Sequence, residues 1–501
     1  MRDPDQPIAH IPNFLPSPDP DSSIDDRPES MRLPYPDRYD GCITPIAGLP
    51  CECPSIALRR SGFITARAKK TAMTDAATAI WTNAQSTRAS LEAAIDDVVE
   101  RAKVALAGRS ATFGIIFVST AFASEFSRVL PLLQEKIVLP VLIGCGSNGV
   151  IGTDPTGMTH ELEDGPAVSL TVASLPRVRA QAFQLAGDRL PDLDGSPDDW
   201  VKFVGLDPAD YPQIVLLVDP FASNIVDLLQ GLDYAYPGMP KVGGIASGIR
   251  PGEHNSGLFF GTMDGDQVTS ELVQGGAVGL ALMGEITLET IVAQGCRPIG
   301  PPFRVADGQR NIILRVEPCT ENYHRDEQAI TSPLEALQNL LETLPDADRT
   351  LAKYELFIGL VRDEFKLTLH SGDFLIRNLM GVDPRSGAVA IADRVRPGQR
   401  VQFHLRDAQA SADDLEALLE GARRDHSGQA PPIGAFLFAC LGRGRGLYDA
   451  PDFDTRLFHQ YCPDTPIGGC FCNGEIGPVG GNTFLHGYTS VFGLCRMAPG
   501  S

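Results

Sequence analysis

The chain has 501 residues, 43% hydrophobic and 21% charged, the composition of a globular protein of about two to four domains. Its formal net charge of -21, with no basic stripe, excludes phosphate-driven nucleic-acid binding and a charge-held membrane contact. No apolar run reaches the roughly 18–20 residues that span a bilayer, and eleven cysteines in a long chain without a secretory signal read as reduced thiols of a cytoplasmic compartment.

Residues 1–72 hold twelve of the forty prolines and no helical or strand period. Too little apolar surface is present to offset ordering entropy, so a disordered tail is expected. Its second half is basic (Arg32, Arg38, Arg59, Arg60, Arg67, Lys69, Lys70), which leaves an organellar transit segment as an alternative. The acidic start at Asp19, Asp21, Asp25 and Asp26 argues against that, and Met73 is an alternative start.

Structure is expected from near Thr74. Ser90 caps a helix whose apolar positions are Leu91, Ile95, Val98, Val99, Ala102 and Leu106, and Gly108 ends it. A strand at Phe113–Val118, a helix with Phe126, Val129, Leu130 and Leu133, and a strand at Val141–Ile143 then lead into Gly144-Cys-Gly-Ser-Asn-Gly149. An apolar strand follows at Ala167–Val172. The unit returns as Ile214–Val218, a helix with Ile225, Leu228 and Leu229, and Val242 entering Gly243-Gly-Ile-Ala-Ser-Gly248. Ala277–Met283 is a further strand. The third copy is Ala435–Cys440, a short helix with Leu457 and Phe458, and Ile467 entering Gly468-Gly-Cys-Phe-Cys-Asn-Gly474, with Val491–Leu494 closing the chain. Each copy has the size of a βαβ element.

Between the second and third copies lie antiparallel-looking segments: Ile312–Val316, Glu355–Leu360, Val389–Ile391 and Val401–Leu405. A polar stretch precedes a helix at Pro333–Leu344, whose proline suits the first turn. The fold class read from this order is mixed α/β: repeated βαβ-type units in two lobes, with mixed sheets flanked by helices. The lobes are taken as 73–325 and 326–501.

All three glycine runs sit at the carboxyl ends of strands, where open α/β sheets gather ligands. None has the dinucleotide or phosphate-loop pattern. The last run continues through Glu475-Ile-Gly to Phe484-Leu-His-Gly-Tyr-Thr489, and an Arg443-Gly-Arg445 pair follows the strand before it. These stretches resemble the C-terminal domain of the FIST family, the F-box and intracellular signal-transduction proteins. Ile143–Gly152 and Glu161–Leu170 resemble its N-terminal domain, and the likeness covers roughly residues 110–495. The resemblance implies a sensory module for small ligands, amino acids in bacterial members, with no established catalysis. Family members often carry an attached output, but this chain shows no F-box helical pattern and no kinase or cyclase motif. A separate signalling or adaptor protein is therefore the expected partner.

The candidate ligand-binding residues are Arg443, Cys472, Asn473, Glu475 and His486, with Cys145, Ser147 and Asn148 from the other lobe. Arg443 can grip a carboxylate with paired hydrogen bonds, Glu475 can receive an ammonium, and Asn473 offers donor and acceptor. Such a set suits a zwitterion. Cys472 reads either as a thiol activated by Arg443 or as a buried inert cysteine. His486 reads as a ligand donor, an orienter of Glu475 or a core histidine. Cys470, Cys472 and His486 lack a fourth zinc ligand at standard spacing, and Ser147 lacks the nucleophile-elbow register. No metal, cofactor or catalytic residue is assigned. A protein-interaction scaffold, and an enzyme using Cys472 or Glu475, stand as alternatives.

Overall fold

The computed structural model describes residues 79–498 apart from 188, 223, 249–256, 266, 320–328 and 370. The expected tail and the lobe boundary at 325/326 lie outside the described residues.

Three copies of one unit form the body of the protein. Each runs helix, strand, helix, strand: Leu91–Leu106, Phe113–Ser119, Phe126–Lys136 and Val141–Ser147 in the first; Pro197–Val204, Gln213–Val218, Ile225–Ala235 and Lys241–Ile245 in the second; Ala408–Asp425, Gly434–Cys440, Phe453–Tyr461 and Ile467–Cys472 in the third. The crossover helix makes the two strands of each copy parallel. They are almost continuously apolar because both faces of the sheet are covered. The Ser90 hydroxyl caps the first helix as expected, accepting from the Ala93 amide at 3.3 Å. Ala107 and Gly108 both turn left-handed where that helix ends.

An antiparallel strand flanks the first strand of each pair: Val168–Ser174, Ala277–Gly284 and Ser490–Met497. Beyond it lies an outer strand: Ile80–Ser86, Val178–Leu185 and Ile286–Ala293. The remaining two strands of each sheet come from a different unit. The hairpin after the first glycine run, Val150–Thr153 and Thr159–Leu162, pairs with Ile467–Cys472 of the third unit. The second unit's hairpin, Leu258–Asp264 and Gln267–Val273, pairs with Val141–Ser147 of the first. The third unit's hairpin, Glu475–Val479 and Asn482–His486, pairs with Lys241–Ile245 of the second. Three six-stranded sheets result, joined in a ring by cyclic exchange of hairpins.

One face of every sheet enters a shared core, where Phe113 and Phe117 of the first unit, Val215 and Leu217 of the second, and Phe436 and Phe438 of the third are buried. Trp81 meets both Phe113 and Phe436. The opposite faces carry the helices, two to a sheet. Burying both faces over this area is the main favourable term in folding.

The four antiparallel segments belong to a closed six-stranded barrel: Cys296–Gln309, Ile312–Pro318, Leu356–Val361, Phe374–Val382, Val389–Ile391 and Arg400–Arg406. Closure leaves no free edge. The barrel is inserted between the outer strand and the first helix of the third unit. Helix Pro333–Thr343, capped by Ser332, packs against it.

Candidate functional site

The glycine runs end the parallel pairs, and the first reason for glycine is steric. A Cβ on Gly144 would lie 2.1 Å from the Ile116 carbonyl oxygen, one on Gly243 1.8 Å from that of Leu216, and one on Gly469 1.8 Å from that of Leu437. These glycines hold the same register position in the three sheets. The residues that follow pack against one another. A Cβ on Gly244 would lie 2.4 Å from the Cys472 sulfur, and one on Gly248 2.3 Å from the Gly146 carbonyl carbon.

The three turns are thereby hydrogen-bonded into a ring. Gly248 N–H donates to the Gly146 carbonyl at 3.1 Å, Ile245 N–H to Gly474 at 2.8 Å, Asn473 N–H to Ile245 at 3.0 Å and Phe471 N–H to Gly149 at 2.9 Å. Two buried hydroxyls share the Phe471 carbonyl, Ser147 at 2.8 Å and Ser247 at 2.6 Å. The Asn148 amide N–H donates to the Ser247 hydroxyl at 3.0 Å. At the rim, Asn148 and Asn473 are exposed. The Asn148 side chain accepts from the Thr120 hydroxyl at 3.1 Å. On the inner side Cys145, Cys470 and Cys472 enter the shared core, with the sulfurs of Cys470 and Cys472 3.8 Å apart.

A second polar group lies where the third sheet meets the barrel. The fully buried Arg443 reaches both oxygens of Asp454, at 3.0 Å through Nε and 2.9 Å through Nη2. Nη2 also meets the Tyr448 hydroxyl. Burial works against the Arg443 charge, but Asp454 and Tyr448 outweigh it and hold its pKa above the ordinary value. Glu475 is fully buried. Its Oε2 accepts from the Thr489 amide at 3.1 Å and its Oε1 has no partner. Burial pushes the Glu475 pKa well up, against the opposing pull of the Thr489 amide, the Cys440 thiol and Arg443. The turn Gly487–Thr489 covers this carboxyl. Within it Tyr488 adopts a left-handed φ of 60°, a costly conformation for an aromatic residue. The barrel's Arg406 stacks on the Tyr488 ring at 4.0 Å and donates to the Gly442 carbonyl at 2.7 Å.

Two domain matches fit this architecture: the FIST N domain over residues 112–317 and the FIST C domain over residues 333–478. The chain belongs to the FIST family. An uncharacterised protein of Mycobacterium tuberculosis is 33% identical to it over 411 residues, 82% of this chain and 97% of that one. An uncharacterised protein of Mycobacterium bovis is 33% identical over 396 residues, 79% of this chain and 93% of that one. F-box only protein 22 of Homo sapiens is 28% identical over 137 residues, 24% of this chain and 34% of that protein. The FIST domains imply a role in signal transduction. No helix among the described residues is long and apolar enough to cross a membrane.

In this FIST protein the predicted residues fall into two groups. Cys145, Ser147 and Asn148 do meet Cys472 and Asn473, at the ring of turns. Arg443 and Glu475 lie together at the barrel junction. Arg443 is committed to Asp454, with only Nη1 left without a hydrogen bond. Cys472 is not activated: burial raises its pKa, and Glu475 adds to the rise. His486 sits opposite Glu475 in the strand pair but bonds the Gly477 carbonyl at 3.0 Å. Burial drops its pKa to about 3. It is therefore a neutral imidazole whose Nε2–H donates to Gly477 while Nδ1 has no partner.

Sequence reasoning missed Ser247, Asp454, Tyr448 and Glu161. Aligning the three runs on their steric glycines places Ser247 beside Asn148 and Asn473, so that signal was present. Glu161 carries no local signal because its partner Thr455 is reached through the exchange of hairpins, and Asp454 meets Arg443, Tyr448 and Ser490 of its own unit only once that unit is folded. Glu161, on the first unit's hairpin, accepts from the Thr455 amide and hydroxyl at 2.7 and 2.9 Å, and its Oε2 has no partner. Burial and then Asp454 push its pKa from 4.5 to about 8.

That shift sets a pH dependence. The folded state keeps a proton on Glu161 that the unfolded state releases. Stability therefore falls as pH rises from 4.5 to about 8, by at most about 1.4 kcal/mol per pH unit, and is level in this term above and below. Glu161→Gln keeps the acceptor for Thr455 and is expected to flatten the slope. Urea unfolding of both proteins at about pH 5.5 and about pH 8 measures it; an unchanged slope in the variant contradicts the assignment.

Proposed function

We propose that the chain is a small-ligand sensor whose ligand is a zwitterion of the amino-acid class, bound where the glycine turns meet the barrel junction. One observation carries the reading. Two residues beyond the exposed Asn473 of the ring of turns lies a fully buried carboxyl with an unpartnered oxygen, Glu475 Oε1. A buried polar atom without a partner costs about 1–3 kcal/mol, and such groups cluster where a ligand completes them. An ammonium at Glu475 Oε1 would offset the burial that holds this pKa up, so that the carboxyl releases its proton to solvent and pairs with it, and the Asn473 and Asn148 amides would take the carboxylate. Arg443 would act behind them through its pair with Asp454. Ser147, Cys145, Cys472 and His486 would shape the wall.

Glu475 is reached by displacing the Gly487–Thr489 turn, whose Tyr488 is stacked on Arg406 of the barrel. Ligand entry would thus bias the barrel, which gives the separate signalling or adaptor partner something to read. The exposed Phe365 and Leu367, at 95% and 75% exposure, project from a barrel loop. Arg400 clamps that loop through Glu364 at 2.8 Å and the Asp363 carbonyl at 2.9 Å. A rigidly held apolar tip of this kind favours capture by a protein, and so supports the scaffold reading as a second.

Thermal unfolding against a panel of amino acids tests the sensor. Binding to the folded state adds about 2.7 kcal/mol at a hundredfold excess over Kd. One chemical class is expected to raise the midpoint in a saturable way, and Glu475→Gln to abolish the rise while still folding. A panel without effect, together with tight binding of an F-box-type adaptor, would replace the sensor with the scaffold.

A further inference from the structure

The internal threefold repeat supplies its own control at the other end of the sheets. In each unit the second helix ends on a residue whose amide bonds four residues back: Ile137 to Leu133, Tyr236 to Leu232 and Cys462 to Phe458. A proline then precedes the next strand, at Pro140, Pro240 and Pro466, so that Leu139, Met239 and Thr465 also correspond. The first unit fills this position with Ile137 and Leu139, both in its helix-side core. The second fills it with Tyr236, fully buried, and Met239 packed beside it. The third has only Cys462 and Thr465, and there a cleft of about 340 Å³ opens between the C-terminal ends of helices Ala408–Asp425 and Phe453–Tyr461. That is the size range of small-molecule sites.

The lining has a definite chemistry. Ile291, Leu419 and Leu494 form an apolar floor, and Arg423, His426, Arg496 and one acid, Asp464, are the basic and acidic side chains around it. At the rim His426 and Arg496 share Glu289, each at 3.1 Å, so that carboxylate is already answered. Arg423 differs: its guanidinium lies 5.0 Å from the centre of the Tyr461 ring and forms no ion pair among the described residues. An unpaired guanidinium over an aromatic ring beside an apolar floor matches an anion with a hydrocarbon body.

We propose that this cleft is a second binding site, for a small apolar acid whose body lies on Ile291, Leu419 and Leu494 and whose carboxylate pairs with Arg423. It lies at the amino ends of the third unit's parallel strands, opposite the glycine turns, and does not depend on the sensor reading.

Isothermal titration of the full chain with phenylacetate and with hexanoate tests it. Saturable binding is expected, about tenfold or more weaker for phenylacetamide and for Arg423→Gln. Thr465→Leu, which restores the plug of the sister unit, is expected to abolish it. Arg423 is exposed, so its variant folds whatever Thr465→Leu does. No saturable binding of either acid overturns the proposal, as does binding that Arg423→Gln leaves unchanged. Loss of amino-acid stabilisation in Glu475→Gln with phenylacetate binding intact would separate the two sites.

Discussion

Asp454→Ala is expected to destabilise the folded chain by about 3–5 kcal/mol, because it leaves a buried guanidinium without its counter-ion. Asp454 also serves the Tyr448 and Ser490 hydroxyls, so one substitution strips three buried groups of a partner. It sits on helix Phe453–Tyr461, while Arg443 follows strand Gly434–Cys440 and Ser490 opens the neighbouring strand. The carboxylate thus joins three elements of the third unit. Urea unfolding measures the loss. The double variant Arg443→Met, Asp454→Ala is expected to recover part of it, since an absent charge needs no partner. A loss below about 1 kcal/mol in Asp454→Ala would contradict a dry, bidentate pair.

The second large effect is at a glycine. Gly469→Ala is expected to cost about 3 kcal/mol or more, or to prevent folding, because the new methyl meets a backbone carbonyl that cannot rotate away. Gly421 provides the contrast. It lies within helix Ala408–Asp425, and a Cβ there would meet nothing within 4 Å. Gly421→Ala is therefore expected to stabilise by about 0.5–1 kcal/mol. Denaturation midpoints of the two variants, moving in opposite directions, separate steric need from simple backbone freedom. A tolerated Gly469→Ala would mean that the parallel pair is not in this register.

The same contrast explains what the amino-acid order revealed. The three strand–helix–strand copies were legible because apolar spacing is local, and the barrel strands were legible as individual segments for the same reason. Pairing was not. The hairpin Val150–Leu162 belongs to the sheet of Ile467–Cys472, more than three hundred residues away, and no local pattern encodes that partner. Barrel closure was hidden likewise, since its first and last strands, Cys296–Gln309 and Arg400–Arg406, pair across the whole insertion. The glycine runs stood out in the sequence as backbone needing room; the tightest contacts that require glycine are to the carbonyls of the neighbouring parallel strand, and those between the turns come next. Arg443 was legible as a guanidinium at a strand end, but the carboxylate that holds it, on the following helix, was not.

The most direct test of the ligand site is amide hydrogen exchange of the full chain with and without whichever amino acid stabilises it. The account predicts added protection in all three glycine turns together, Gly144–Gly149, Gly243–Gly248 and Gly468–Gly474, and in the Gly487–Thr489 turn above Glu475. Protection confined to other segments, with these four turns unchanged, would contradict it.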